Sequence, residues 1–171
     1  MTRLAALTAF VAGMGIASCQ PAPVSKSEAG VPSVMAEDVI AQGRYLVAIG
    51  GCNDCHTPNY ASSGGDVPET ERLMGNPVGY SGPWGVTYAN NLRLTTAGMT
   101  EDAWVEMLAT RRALPPMPWP SVRAMSETDK RAVYRYIRSL GPGGEPAPTA
   151  LPPGVMPTGP VEDMMPPPPA A

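Results

Sequence analysis

Gly51-Cys52-Asn53-Asp54-Cys55-His56-Thr57-Pro58 is the stretch that decides the fold. Cys-x-x-Cys-His is the spacing that captures a c-type haem: two thiols add to the vinyl groups and the adjacent histidine becomes an iron ligand. Cysteines three apart lie on one side of a single helical turn, so both sulfurs reach one edge of a porphyrin. The next residue then brings its imidazole beneath the ring. His56 is the only histidine in the chain. Competing readings ask for residues that are missing. Structural zinc wants four Cys or His ligands, whereas the chain has 3 cysteines and 1 histidine, and one of those cysteines, Cys19, stands at the end of the leader described next. A thioredoxin-like pair asks for alternating strands and helices around it, and the sequence shows no such alternation. A Cys52–Cys55 disulfide would close a very small loop and stabilise little.

Upstream, Arg3 followed by the apolar or small run Leu4 to Ile16, broken only by Thr8, reads as an export signal over residues 1–18. It is shorter than the ~20 apolar residues a spanning helix needs. The run ends in Ile16-Ala17-Ser18-Cys19, similar to a bacterial lipobox. Lipidation at Cys19 would anchor the chain to a membrane and would account for a cysteine without a pairing partner in an oxidising compartment. Gln20 after the cysteine slightly favours the outer membrane, and the expected location is the periplasmic side of the cell envelope.

The formal charge is −3 over 171 residues, with no basic run, so nucleic acid is not an expected partner. Proline is the compositional anomaly. Of 22 prolines, 11 fall within residues 141–171, which end in Pro166-Pro167-Pro168-Pro169. That composition predicts a disordered or partly polyproline tail over 142–171. Residues 19–35 read as a flexible tether. The domain between them, 36–141, is small enough that its core needs a stiffening element such as a covalent haem.

Three helices are predicted inside it. The first runs from Ala36 to about Gly51 on Val39, Ile40, Leu46, Val47 and Ile49. The second starts at the capping Thr100 and continues to about Ala113 through Trp104, Val105, Met107 and Leu108. The third starts at Ser126-Glu127-Thr128-Asp129 and ends at Leu140, with Val133, Tyr136, Ile137 and Leu140 on one face. Residues 57–99, rich in Gly, Pro, Asn and Ser, read mostly as loop. A loop that long has a good reason to exist if it wraps a prosthetic group.

With one histidine, a second imidazole ligand is excluded, and 11 methionines compete for the sixth position. Met1 and Met14 fall in the leader, Met35 in the tether, Met156, Met164 and Met165 in the tail, and Met107 on a helix. Met74, Met99, Met117 and Met125 remain. Met117 stands in Pro115-Pro116-Met117-Pro118-Trp119-Pro120, whose prolines fix φ and forbid helix. A weak thioether ligand suits such a stiffened loop, which costs little entropy to order. Met117 is therefore preferred, with Met125 as its rival.

Gly43-Arg44-Tyr45-Leu46-Val47, Gly51-Cys52-Asn53-Asp54-Cys55-His56-Thr57-Pro58, Gly82-Pro83-Trp84-Gly85-Val86, Asn91-Leu92, Pro115-Pro116-Met117-Pro118-Trp119-Pro120 and Tyr136-Ile137-Arg138-Ser139-Leu140 together resemble a class I cytochrome c of a bacterial periplasmic subfamily. That subfamily includes single-haem cytochromes and dehydrogenase cytochrome subunits. The resemblance covers roughly Asp38 to Gly141. It implies an all-α fold of about three to five helices around one covalent haem c. It also implies axial ligation by His56 and Met117, and a close helix crossing at Gly43 against Tyr136. Tyr80, Trp84, Tyr88 and Trp119 are candidates for the pocket or the haem propionates, and Pro68 for the carbonyl that orients His56. The expected function is single-electron transfer rather than enzymatic catalysis, between a redox protein donor and acceptor such as a dehydrogenase or a terminal oxidase. The alternatives are a non-catalytic dehydrogenase subunit, or a peroxidase or gas-binding protein with an open iron face. The peroxidase reading suffers from the missing second histidine.

Overall fold

A computed structural model describes residue 34 and residues 37–165. The leader, Cys19, most of the tether with Met35, and Pro166-Pro167-Pro168-Pro169 lie outside the described residues. In chain order the elements are α1 (Val39–Ile49), α2 (Cys52–His56), a 3₁₀ turn (Glu69–Glu71), β1 (Gly79–Gly82), β2 (Gly85–Tyr88), α3 (Leu92–Ala97), α4 (Glu101–Thr110), α5 (Trp119–Ala124), α6 (Glu127–Ser139) and β3 (Val161–Asp163). No helix among the described residues is long and apolar enough to cross a membrane.

Side-chain caps start the three long helices. Asp38 accepts from the Ile40 amide at α1, Thr100 from the Ala103 amide at α4 and Ser126 from the Asp129 amide at α6, each satisfying a first-turn N–H that has no partner inside the helix. Their apolar faces make one core: Leu46 and Val47 from α1, Trp104 and Leu108 from α4, and Ala132, Val133, Tyr136 and Ile137 from α6. α1 and α6 cross at Gly43, where an added Cβ would lie 2.1 Å from the Ala132 carbonyl oxygen and 2.7 Å from Tyr136 Cβ. Glycine is what lets the two backbones meet. Trp104 satisfies its indole N–H on the Lys130 carbonyl at 3.1 Å, fixing α4 on α6.

The all-α expectation is overturned by a three-stranded mixed sheet in the order β2-β1-β3. β1 and β2 form an antiparallel hairpin with Tyr80 opposite Thr87 and Gly82 opposite Gly85. The segment read as loop thus contains a hairpin, whose four-residue strands are half glycine and serine and too short to show a period-two pattern. β3 runs parallel to β1, pairing Tyr80 with Glu162, and it comes from the tail expected to be disordered. The tail is not featureless there: Val161 to Met165 is a proline-free island whose amides are available to a neighbouring strand.

The tail is tied down before it reaches the sheet. Asn91, the N-cap of α3, donates from Nδ2 to the carbonyls of Gly143 at 2.8 Å and Glu145 at 3.1 Å. The buried Arg93 guanidinium collects the carbonyls of Leu140, Gly141 and Thr70. Farther on, Leu151 and Val86 exchange both backbone hydrogen bonds, at 2.8 and 2.9 Å.

Candidate functional site

The chain leaves α1 through Gly50 and turns into α2 at Gly51, whose left-handed φ of 64° suits glycine. Cys52 and Cys55 sit on this one turn as free, half-buried thiols. Burial pushes the Cys52 thiol up to about 11, with the Asp54 and Cys55 charges adding to it. The turn is anchored from behind. Thr57, fully buried, donates from Oγ1 to Asn53 Oδ1 at 3.0 Å and accepts the Leu73 amide at 2.9 Å. His56, 7% exposed, ends the helix with Nδ1 at 2.7 Å from the Asn90 carbonyl. A carbonyl only accepts, so Nδ1 carries the proton and Nε2 keeps its lone pair free. Burial lowers the imidazole pKa against the opposing pull of the Asn90 bond. Burial thus favours the neutral ring, and in that form Nε2 is the nitrogen available to a metal.

The His56 partner corrects the sequence reading. The sequence points to the Pro68 carbonyl, but Pro68 O is taken by the Glu71 amide of the 3₁₀ turn at 2.9 Å. A backbone carbonyl leaves no mark in the amino-acid code; the nearest clue is Asn91, whose capping of α3 fixes where residue 90 points.

Packing separates the candidate methionines. Met99 and Met125 are packed against the hydrophobic core, as is Met107. Met74 lies under the tail, where a Cβ added at Gly144 would come within 3.1 Å of its sulfur. Met117 belongs to none of these. It is half-buried in the proline loop between α4 and α5 and borders an open cleft of about 270 Å³ with Arg112, Pro115, Trp119 and Arg123. The Met117 carbonyl accepts the Trp119 amide at 2.8 Å, and the Arg111 guanidinium lies 5.2 Å from the Trp119 ring centroid.

The unforeseen hairpin connects these two parts. Tyr80 and Thr87 are cross-strand neighbours on one face. Tyr80 lies against Cys55, and burial followed by that thiol pushes its phenol upward. Thr87 donates from Oγ1 to the Pro115 carbonyl at 2.6 Å, two residues before Met117. Trp84 fills the hairpin turn and covers Gly82, where a Cβ would meet its ring at 2.5 Å. Tyr88 closes the strand and faces Gly79 across the ladder. Among the described residues, the Trp84 and Trp119 indole nitrogens are the buried side-chain polar atoms with no hydrogen-bond partner. Burying such a donor unpaired costs free energy.

Among the described residues no three His, Cys, Asp or Glu side chains come together as a metal cluster would require, Cys52, Cys55 and His56 included. No protein family, curated protein or solved structure matches this chain.

Proposed function

We propose that the chain is a single-electron carrier of the bacterial cell envelope, binding one haem c through Cys52 and Cys55 with His56 and Met117 as axial ligands. The observation that carries this reading is the α2 turn itself: two free thiols and an imidazole whose Nδ1 is committed to the Asn90 carbonyl, which leaves Nε2 for a metal. The other residues fit the same group. A haem brings two carboxylates, and Trp84 and Trp119 have two buried N–H donors in want of an acceptor. When bound, the haem supplies a one-electron ferric/ferrous couple.

Each part of the chain has a distinct task. Cys52 and Cys55 make the attachment covalent, so the group cannot be lost to a partner. The Asn90 carbonyl holds the His56 ring in one orientation and one tautomer, which raises its donor strength. The proline loop presents a thioether sulfur with little ordering entropy to lose, and such a ligand favours the reduced metal and raises the potential. His56 and Met117 would both hold the iron, leaving it no position for a substrate, and the partners would be a redox donor and acceptor such as a dehydrogenase or terminal oxidase.

The test is extraction. Denatured protein treated with acidified organic solvent is expected to keep its colour, and Cys52→Ala or Cys55→Ala is expected to deplete holoprotein. Colour that leaves the wild-type polypeptide refutes the covalent haem. Carbon monoxide added to the reduced protein separates the carrier from an open-site peroxidase or gas-binding protein: a filled sixth position leaves the spectrum unchanged.

A further inference from the structure

The tail holds the hairpin on both sides. At the β2 edge, Leu151 exchanges two backbone hydrogen bonds with Val86. The chain then rounds the turn and returns along the β1 edge, where Gly79 N–H donates to Pro160 O at 2.9 Å, β3 pairs in parallel, and Met164 N–H donates to Ser81 O at 3.0 Å. The contact at β2 is close. A Cβ at Gly85 would stand 2.1 Å from the Leu151 carbonyl oxygen, and the Gly85 φ of 98° also favours glycine. A two-stranded hairpin alone is marginally stable in water, whereas a third strand with packing beneath it makes a lasting sheet. The hairpin in turn holds the methionine loop, through the Thr87 hydroxyl on the Pro115 carbonyl. Val86, which the tail grips, is the residue next to Thr87 and is itself buried.

We propose that the proline-rich tail is a clasp that positions Met117, acting through the Leu151–Val86 bridge on β2 and through the Thr87 hydroxyl on the Pro115 carbonyl. The proposal rests on the reading of Met117 as the iron ligand. Thr87 and Leu151 are positioning residues, and neither needs to touch the haem. Two consequences follow from the geometry. Replacing the Thr87 hydroxyl by a methyl removes the last link while keeping side-chain shape. Replacing Leu151 by proline removes the N–H given to the Val86 carbonyl, at a position already followed by Pro152 and Pro153.

The experiment uses full-length holoprotein carrying Thr87→Val, Leu151→Pro, or both, with Met156→Ala on the exposed part of the tail as a control. Three quantities are read: the near-infrared band of methionine-ligated ferric haem, the reduction potential, and the fraction of reduced protein that binds carbon monoxide. Each single variant is expected to shift the ratio of held to released loop by about fivefold, the size of one net hydrogen bond. The band should weaken, the potential fall and carbon monoxide binding rise together. The double variant should change these less than the two singles summed, because both act along one path. Met156→Ala should match wild type. Folded variants with unchanged band, potential and carbon monoxide binding overturn the clasp, even if they melt earlier. A wild-type protein without the band overturns the Met117 reading instead. Should the variants fail to fold, hydrogen exchange on wild type decides: the Leu151 and Trp119 amides open together if the tail holds the loop, and independently if it does not.

Discussion

At the residue scale, the proposal for His56 and the two motif cysteines comes straight from sequence, because haem attachment demands three side chains in five consecutive positions. Met117 is proposed by elimination, and packing supports that choice. Met125 sits with the hydrophobic core, and its carbonyl accepts the Lys130 ammonium at 2.8 Å, whereas Met117 stands on a proline-stiffened loop beside the unpartnered Trp119 indole. Met117→Ala is therefore expected to abolish the near-infrared thioether–iron band, lower the potential and admit carbon monoxide to the reduced protein. Met125→Ala should keep the band and lose stability by about 1–2 kcal/mol, less than the cost of emptying a fully buried methionine site, because Met125 is only partly buried against the core. The reverse pattern, measured by absorption spectroscopy and denaturant titration, would move the ligand role to Met125. What no sequence reading could reach is the Asn90 carbonyl, since every residue carries one, and only the fold decides which faces the imidazole.

At the element scale, the long helices announce themselves through caps and 3.6-residue periodicity, while the sheet does not. In each strand two consecutive residues are buried, Gly79-Tyr80 and Gly85-Val86, rather than alternate ones, and one of each pair is a glycine that offers no apolar signal. β3 is harder still, because its stability comes from the β1 edge rather than from its own exposed residues. The α1–α6 crossing gives a sharp test. An exposed helical glycine gains up to about 1 kcal/mol on becoming alanine. Gly43→Ala instead drives a methyl into the Ala132 carbonyl, so a loss of about 1–3 kcal/mol is expected from overpacking. For a domain of this size that is a fall in Tm of very roughly 5–20 °C. A Tm that rises would mean the helices separate freely. α4 and α6 are also joined by charge. Hydrogen bonding to Arg135, and secondarily to Arg131, holds the Glu101 carboxyl below its ordinary pKa. A depressed carboxylate contributes stability above its unfolded value of about 4.3 and loses it as pH falls through the folded value. Glu101→Gln should therefore melt below wild type at pH 7, with the gap closing as pH falls below the unfolded value and through the lower folded one. A gap that stays constant over that range would show that the ion pairs contribute nothing.

At the scale of the whole molecule, two proline-rich ends flank the same small domain, and composition alone gives them the same meaning. The structure separates them on the C-terminal side: Asn91, Arg93, Val86 and β1 provide acceptors and donors that the tail backbone meets in turn. Proline content predicts a chain without internal hydrogen bonds; it says nothing about whether a neighbouring edge will supply them. On the lipoprotein reading the N-terminal end carries a different kind of information, since the Ile16-Ala17-Ser18-Cys19 pattern would be addressed to processing enzymes rather than to the fold. Val34 still touches the domain, its amide donating to Asp129 Oδ1 at 3.1 Å, the oxygen that also accepts from Gln42 Nε2 at 3.0 Å. The junction between any tether and the domain therefore lies near residue 34. If Cys19 is lipidated, anchoring and haem chemistry are separable functions. In a native host, Cys19→Ser is expected to release the protein from membranes or leave it uncleaved, while the haem spectrum stays unchanged. A shortened chain beginning near Ser33 should keep that spectrum as well, because it retains the Val34–Asp129 contact. Wild-type protein found wholly in the periplasmic fraction, with no acyl mass on its N-terminal peptide, would refute the anchor. The electron-carrier reading would survive that result, because none of the residues it depends on lies before Cys52.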